Sequence, residues 1–255
     1  DRISYSNNYL LSFFSHFNFQ KYLVGGGRAK LNSDIMMKLP ISLPSLPEQE
    51  SIGQLFRTLD DLISAYKKNL EHYQNLKTSM LSKMFPKEGQ KQPEIRLDGF
   101  DGDWEERELG EITQITMGQS PNSENYASNP NDNILVQGNA DIKNGRVYPR
   151  VWTTQVTKTA KVNDIIFSVR APVGDIAITD YDVVIGRGVA SIKGSKFIFY
   201  SLKQLKLRGY WNKLSTGSTF DSINSNDLKS TKIPLPSLPE QEAIGAFFTL
   251  SLIHI

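Results

Sequence analysis

The sequence predicts an α+β protein, with a curved, strongly turned β-sheet module joined to long helices that pair as an antiparallel coiled coil. Three observations predict it. Residues 104–235 alternate short β-rich runs with turn signals. Residues 48–84 hold no proline and carry apolar residues at heptad spacing. The octapeptide Leu43-Pro44-Ser45-Leu46-Pro47-Glu48-Gln49-Glu50 returns unchanged as Leu235-Pro236-Ser237-Leu238-Pro239-Glu240-Gln241-Glu242.

The repeat extends beyond these eight residues at one fixed offset of 192. Asn32-Ser33 matches Asn224-Ser225, Gly25 matches Gly217, and Ile41 matches Ile233. Downstream, Ile52-Gly53 matches Ile244-Gly245 and Phe56 matches Phe248. A period this long is a whole domain plus its connector, not a solenoid repeat. The chain therefore divides into the end of one module (1–46), a connector helix (47–85), a linker (86–93), a second module (94–236) and the start of a second connector helix (237–249).

The connector helix starts at Pro47, whose missing N–H costs nothing in a first turn. Glu48 and Glu50 follow at the positive end of the helix dipole. Ile52, Phe56, Leu59, Ile63, Tyr66, Leu70 and Tyr73 step by four and three, which places them on one seam. Lys77 interrupts the seam, and Met80 and Met84 resume it. Thirty-eight residues span roughly 57 Å at ~1.5 Å each. Pro86 stops the helix. A stripe this long needs a second long helix to cover it, and the repeat beginning at Pro239 supplies one. A single helix buried in a compact bundle is the alternative. Where the second copy stops short, the exposed stripe predicts self-association of the chain or docking of a partner. The last residues, 250–255, lose the Leu59-Asp60-Asp61-Leu62-Ile63 pattern. One codon choice for them is the end of a transposon used in sequencing libraries, so they are expected to be a non-native tail.

The second module reads as strands at 134–136, 164–169, 176–178, 183–185 and 189–192, then a helix pair over 195–214. Its turns combine glycine, small hydroxyls, amides and arginine. Glycine lets backbone N–H groups approach a phosphate, Arg reads guanine bidentately, and Gln or Asn reads adenine. The candidate DNA-contacting residues are Gln119, Ser120, Gln137, Asn139, Arg170, Arg187, Lys213, Thr216, Ser218 and Thr219. For Arg187 the structural alternative is an internal ion pair with Asp164 or Asp175.

Composition narrows the function classes. Of 255 residues, 39% are hydrophobic and 22% charged, as in a folded globular chain. There is no cysteine, so disulfides, thiol nucleophiles and Cys-based metal sites are excluded. Histidines 16, 72 and 254 have no ligand spacing. No apolar run reaches the ~18–20 residues of a membrane span, and no signal segment opens the chain, which predicts a cytoplasmic protein. Residues 94–110 hold seven acids and two bases, whereas residues 111–235 hold fifteen bases and ten acids. A basic module beside an acidic strip is compatible with a polyanion partner. No phosphate-binding Walker loop, zinc-protease helix, hydrolase nucleophile elbow or amino-methyltransferase motif occurs. The acidic run from Asp98 to Glu106 has no second cluster to complete a metal site. A recognition module without cofactor or catalytic residues fits better than a fused methyltransferase. A coiled-coil interaction protein that does not touch DNA is the other alternative.

Three features together resemble one family. They are the doubled helix-entry octapeptide; Pro93-Glu94-Ile95-Arg96-Leu97 with Gly99-Phe100, Trp104-Glu105 and Leu109-Gly110-Glu111-Ile112; and Ser168-Val169-Arg170-Ala171-Pro172-Val173-Gly174 with Gly186-Arg187-Gly188. They resemble the DNA specificity subunit of type I restriction–modification systems. The resemblance implies two target recognition domains held by two conserved helices in an antiparallel coiled coil. Each domain reads half of a split double-stranded DNA target, and helix length sets the spacer. It also implies that methyltransferase (modification) subunits dock on the helices and that an ATP-dependent restriction subunit joins them. By that resemblance residues 1–46 end the first recognition domain and 94–236 are the second. The departure from the family pattern is length: most of the first domain and of the distal helix are absent.

Overall fold

The computed structural model describes residues 4–25, 29–215 and 222–250. The chain forms two compact units, residues 1–73 and 74–255, which divide inside the long helix.

The described residues of the first unit form α1 (Asn7–His16), α2 (Ser33–Met36) and the greater part of α3 (Leu46–Lys83). Ser6 caps α1, and a 3₁₀ turn follows at Phe19–Tyr22. Phe13, Phe14, Phe17, Phe19 and Tyr22 stack among themselves at centroid distances of 5.0–6.1 Å. Gly53 lies against the backbone of α1, where a Cβ would come within 2.7 Å of the Tyr9 nitrogen. The heptad residues Phe56, Leu59, Ile63, Tyr66, Leu70 and Tyr73 are all exposed, at 38–68%.

In the second unit α3 ends at Lys83, just before Pro86. Strand β1 (Glu105–Glu108) runs into α4 (Leu109–Ile112), followed by β2 (Ile115–Met117), β3 (Tyr126–Ala127) and β4 (Asn133–Val136). Next come β5 (Ile142–Lys143), β6 (Arg146–Val147), β7 (Trp152–Thr153), β8 (Lys158–Ala160) and β9 (Ile165–Ser168). Three further strands follow: β10 (Ile176–Ile178), β11 (Val183–Ile185) and β12 (Val189–Ile192). The chain closes with α5 (Lys196–Leu207), α6 (Tyr210–Ser215), α7 (Ser225–Lys229), β13 (Lys232–Leu235) and α8 (Leu238–Leu250). Asn144 and Gly145, with φ of 53° and 73°, turn β5 into β6 as a two-residue hairpin with Lys143 opposite Arg146.

A six-stranded sheet runs β2-β12-β9-β10-β6-β5, a five-stranded sheet runs β3-β7-β4-β11-β8, and β1 pairs with β13. Alternation along β9 explains the layering. Ile166 faces Val136, Ala160, Val183 and Ile185 of the five-stranded sheet. Ile165 and Phe167 face the other way, into a larger core with Phe197, Leu202 and Trp211 of the helices. That core also takes Leu81, Met84 and Phe85 from the end of α3, and Ile244 and Phe248 from α8. Each fully buried large side chain contributes roughly 1.5–3 kcal/mol. Gly174, at φ 83°, has no room for a side chain, since a Cβ would meet Trp211 at 2.5 Å. The predicted helix pair is α5 and α6, broken at Gly209 with φ 71°.

Lys77, the break in the heptad, belongs to this unit. Its Nζ donates to the Phe248 carbonyl at 3.1 Å and lies 5.6 Å above the Tyr200 ring. Burial, and secondarily the Lys203 ammonium, lower its pKa to about 8. The expected tail at 250–255 lies outside the described residues except for Leu250, which is exposed.

Candidate nucleic-acid interface

The turns after four strands converge. Ser120 follows β2, Gln137 follows β4, Arg170 follows β9, and Arg187 sits between β11 and β12. The strand pairings β12·β2, β12·β9 and β11·β4 carry these ends to one edge. Ser120, Gln137, Arg170 and Arg187 line one cleft of ≈480 Å³, with Ser123, Tyr126 and Gly188.

The backbone under the two arginines is fixed, while their side chains are exposed. Arg170 forms a β-bridge with Ser222, and its carbonyl accepts from Ser168 Oγ at 2.9 Å. The Arg187 N–H donates to Ser120 Oγ at 3.2 Å. Gly186 and Gly188 make that turn possible by backbone packing. A Cβ on Gly188 would come within 2.0 Å of the Gln137 oxygen, and one on Gly118 within 2.1 Å of the Gly186 oxygen. These glycines thus serve packing between turns, a role distinct from the phosphate approach expected of such loops.

Among the described residues no carboxylate lines this cleft, and neither arginine makes an ion pair. The alternative of an internal pair for Arg187 is not realised. Asp164 accepts from the Lys161 N–H and Ser191 Oγ, and Asp175 pairs with Lys206. Two unpaired guanidinium groups beside an amide and a hydroxyl form a donor-rich surface suited to base edges and phosphates.

A neighbouring hollow of ≈560 Å³ shares Gln137 and adds Asn139, Arg150, Ala171 and Pro172. Asp141 shapes it by accepting from the Gln137 and Gly138 N–H groups, at 2.8 and 3.3 Å. Asn139 also borders Lys203 and Lys206, whose pKa values burial lowers. Gln119 is exposed beside Ser120, its carbonyl accepting from Thr157 Oγ1 at 2.5 Å. Lys213 is not brought to these surfaces; it lines a separate cleft with Trp104 and Gln204. Thr216, Ser218 and Thr219 lie outside the described residues. Sequence reasoning missed Tyr126, whose OH donates to Gln137 Oε1 at 3.4 Å, and Arg150. Neither adjoins a glycine at a strand end, the feature that marks Gln119, Ser120, Gln137, Asn139 and Arg187.

Among the described residues no helix is long and apolar enough to cross a membrane. They also hold no group of three His, Cys, Asp or Glu side chains placed to bind a metal ion.

The sequence profile of the family described as the type I restriction modification DNA specificity domain matches residues 2–73 and again 101–250. The chain is similar to the putative type I restriction enzyme MjaX specificity subunit of Methanocaldococcus jannaschii. Identity is 36% over 252 residues, which is 93% of this chain and 58% of that one. Among solved structures it resembles the HsdS subunit from Thermoanaerobacter tengcongensis, at 26% identity and TM-score 0.58, covering 97% of this chain and 62% of that one. It also resembles a chain from a structural study of complex assembly and conformational transition of the type I R-M system. There the identity is 26% and the TM-score 0.63, with 98% and 61% covered. The chain thus spans about three-fifths of the length of these relatives. The chain belongs to the type I restriction modification DNA specificity domain family.

Proposed function

We propose that this chain is the sequence-reading part of a type I restriction–modification specificity subunit, acting without catalytic residues of its own. Residues 94–236 are its second target recognition domain and read one half of a bipartite double-stranded DNA target. Residues 1–46 end the first recognition domain, residues 47–85 are the central conserved helix, and residues 237–249 begin the distal one. The observation that carries this reading is the cleft in which Arg170 and Arg187, without an ion pair among the described residues, stand beside Gln137 and Ser120. Arg170 and Arg187 take base edges or phosphates, and Gln119, Gln137 and Asn139 offer amides for adenine. The exposed seam from Phe56 to Tyr73 supports the docking of a second helix and of methyltransferase subunits, with the restriction subunit joining that cytoplasmic assembly.

The reading is tested by methylation mapping in cells that carry an intact two-domain version with its methyltransferase partner. Adenine methylation is expected on a split target. Replacing residues 94–236 with the equivalent segment of a relative is expected to change one half of that target and leave the other. Inserting four residues after Tyr66 lengthens the connector by ~6 Å, and the spacer should grow by one or two base pairs. An unsplit target, or a swap that changes both halves, contradicts the assignment.

A further inference from the structure

Helix α5 carries two lysines to a hollow of ≈220 Å³ beside the β5–β6 hairpin. Phe199 anchors the helix under the hairpin turn, where a Cβ on Gly145 would lie 3.7 Å from its ring. Lys203 follows Phe199 by four residues and Lys206 by seven, so all three lie on one face of α5. Ile142 and Ile176 complete the apolar lining, and Asn139, Asn144 and Asp175 the polar one.

The two lysines differ in what they meet. Lys206 pairs with Asp175. Lys203 is half-buried and makes no hydrogen bond or ion pair among the described residues, yet its Nζ is not sealed from solvent. Burial lowers its pKa, and no carboxylate offsets that cost. Its ammonium in turn lowers the pKa of Lys77, whose Nζ is taken by the Phe248 carbonyl. The side-chain amides of Asn139 and Asn144 also lack partners among the described residues. Arg146, on the same hairpin, is already held by Asp180. A half-buried ammonium without a counter-ion is an expensive arrangement, and it has only donors to offer. Its complement is an anion.

The position of the hollow selects which anion. Asn139 lines both this hollow and the one holding Arg150, and Gln137 joins the latter to the Arg170 cleft. The three form one continuous surface. A duplex whose base edges meet Arg170 and Arg187 carries its flanking backbone beside them, where phosphate contacts fix register. A carboxylate of a protein partner is the rival anion, and nothing joins the hollow to such a partner.

We propose that Lys203, with the amides of Asn139 and Asn144, holds a backbone phosphate of the duplex that flanks the bases read at Arg170 and Arg187. The proposal rests on the DNA-reading assignment and adds to it an anchor indifferent to sequence. The Lys206–Asp175 pair borders the phosphate and stays intact.

The test measures binding of the 255-residue chain to the half-site duplex and to a scrambled duplex over a series of salt concentrations. Lys203→Gln should weaken both duplexes alike, roughly five- to tenfold near 0.1 M salt, and lower the slope of log affinity against log salt by about 0.9. Lys203→Met, which keeps only the aliphatic stem, should do the same, and Lys203→Arg should restore the slope. Lys232→Gln removes a lysine already paired with Glu106 and should change neither quantity. The melting temperature of Lys203→Gln should hold or rise, because an uncompensated charge has gone. An unchanged slope, while Arg170→Ala still loses its half-site preference, overturns this proposal and leaves the base-reading cleft standing. A loss confined to the half-site assigns Lys203 to a base and overturns it too. So does a variant that binds duplex normally but no longer binds a methyltransferase subunit, which identifies a carboxylate as the anion. No duplex binding by the unaltered chain overturns both readings.

Discussion

Residues 40–56 and 232–248 are two copies of nearly the same segment in different settings. In the second copy Ile233 and Phe248 are fully buried; in the first, Ile41 and Phe56 are 37% and 38% exposed. Leu228 is fully buried and its counterpart Met36 is 61% exposed. Yet the local geometry is shared. Gln49 donates to the Pro44 carbonyl at 2.8 Å, and Gln241 donates to the Pro236 carbonyl at 2.9 Å. The helix entry is therefore set by the eight identical residues, whereas burial is set by what precedes them. Phe85 at the end of α3 and Tyr200 of α5 pack on Phe248 of the second copy. Residues 232–235 find a partner strand in β1, whereas residues 40–43 form no strand.

The largest test of that contrast is a matched pair of truncations. Phe248→Ala should cost about 3–5 kcal/mol, as a fully buried aromatic does, whereas Phe56→Ala should cost about 1 kcal/mol or less. Denaturant melts of the two variants read the difference, and equal losses would break the comparison. Next comes a buried ion pair. Arg96 donates to both Glu240 oxygens at 2.8 Å, with side-chain exposures of 16% and 1%. The Glu240 carboxylate raises the Arg96 pKa. Removing Glu240 should cost about 3 kcal/mol, at the low end for a buried pair because Arg96 keeps some solvent. The counterpart Glu48 is exposed, so Glu48→Ala should stay within about 0.5 kcal/mol.

The exposed seam gives a smaller effect, read in mass. The chain should self-associate at micromolar concentration, and Leu59→Lys with Ile63→Lys should shift it toward monomer in sedimentation. An association that survives both changes would place the contact elsewhere. The smallest effect concerns Lys77. Its pKa lies below its unfolded value, so the folded state releases its proton first as pH rises. Stability linked to Lys77 therefore increases from about pH 8 toward 10.5 and is lost as pH falls through 8. Lys203, whose ammonium acts on Lys77, shifts the same way through burial. The decisive quantity is thus the difference between the chain and Lys77→Met over pH 7.5–9.5. That difference should change with pH; parallel profiles would contradict the assignment.

Much of this architecture is legible in the sequence. The β-branched runs at 176–178, 183–185 and 189–192 are strands with those bounds, and the proline-free heptad is one helix. Strand pairing is not legible, because β4 meets β11 in parallel across nearly fifty residues and no local pattern encodes that. Arg96 and Glu240 meet across 144 residues for the same reason. Lys77 reads as a flaw in a repeat, and only tertiary packing reveals its carbonyl partner. In the candidate site, strand-end glycines mark Ser120, Gln137 and Arg187.

The cleft between the strand ends is the central claim, and binding to duplex DNA tests it most directly. The chain, Arg170→Ala, Arg187→Ala and Arg146→Ala are compared on the mapped half-site and on a scrambled duplex at two salt concentrations. Arg146 is the control, an exposed arginine already paired with Asp180 at 2.8 Å. If Arg170 and Arg187 read bases, each loss should cost about 1–3 kcal/mol on the half-site and relax one position, with Arg146→Ala unchanged. Half-site binding that survives both losses in a folded chain, or falls equally for Arg146→Ala, would contradict it.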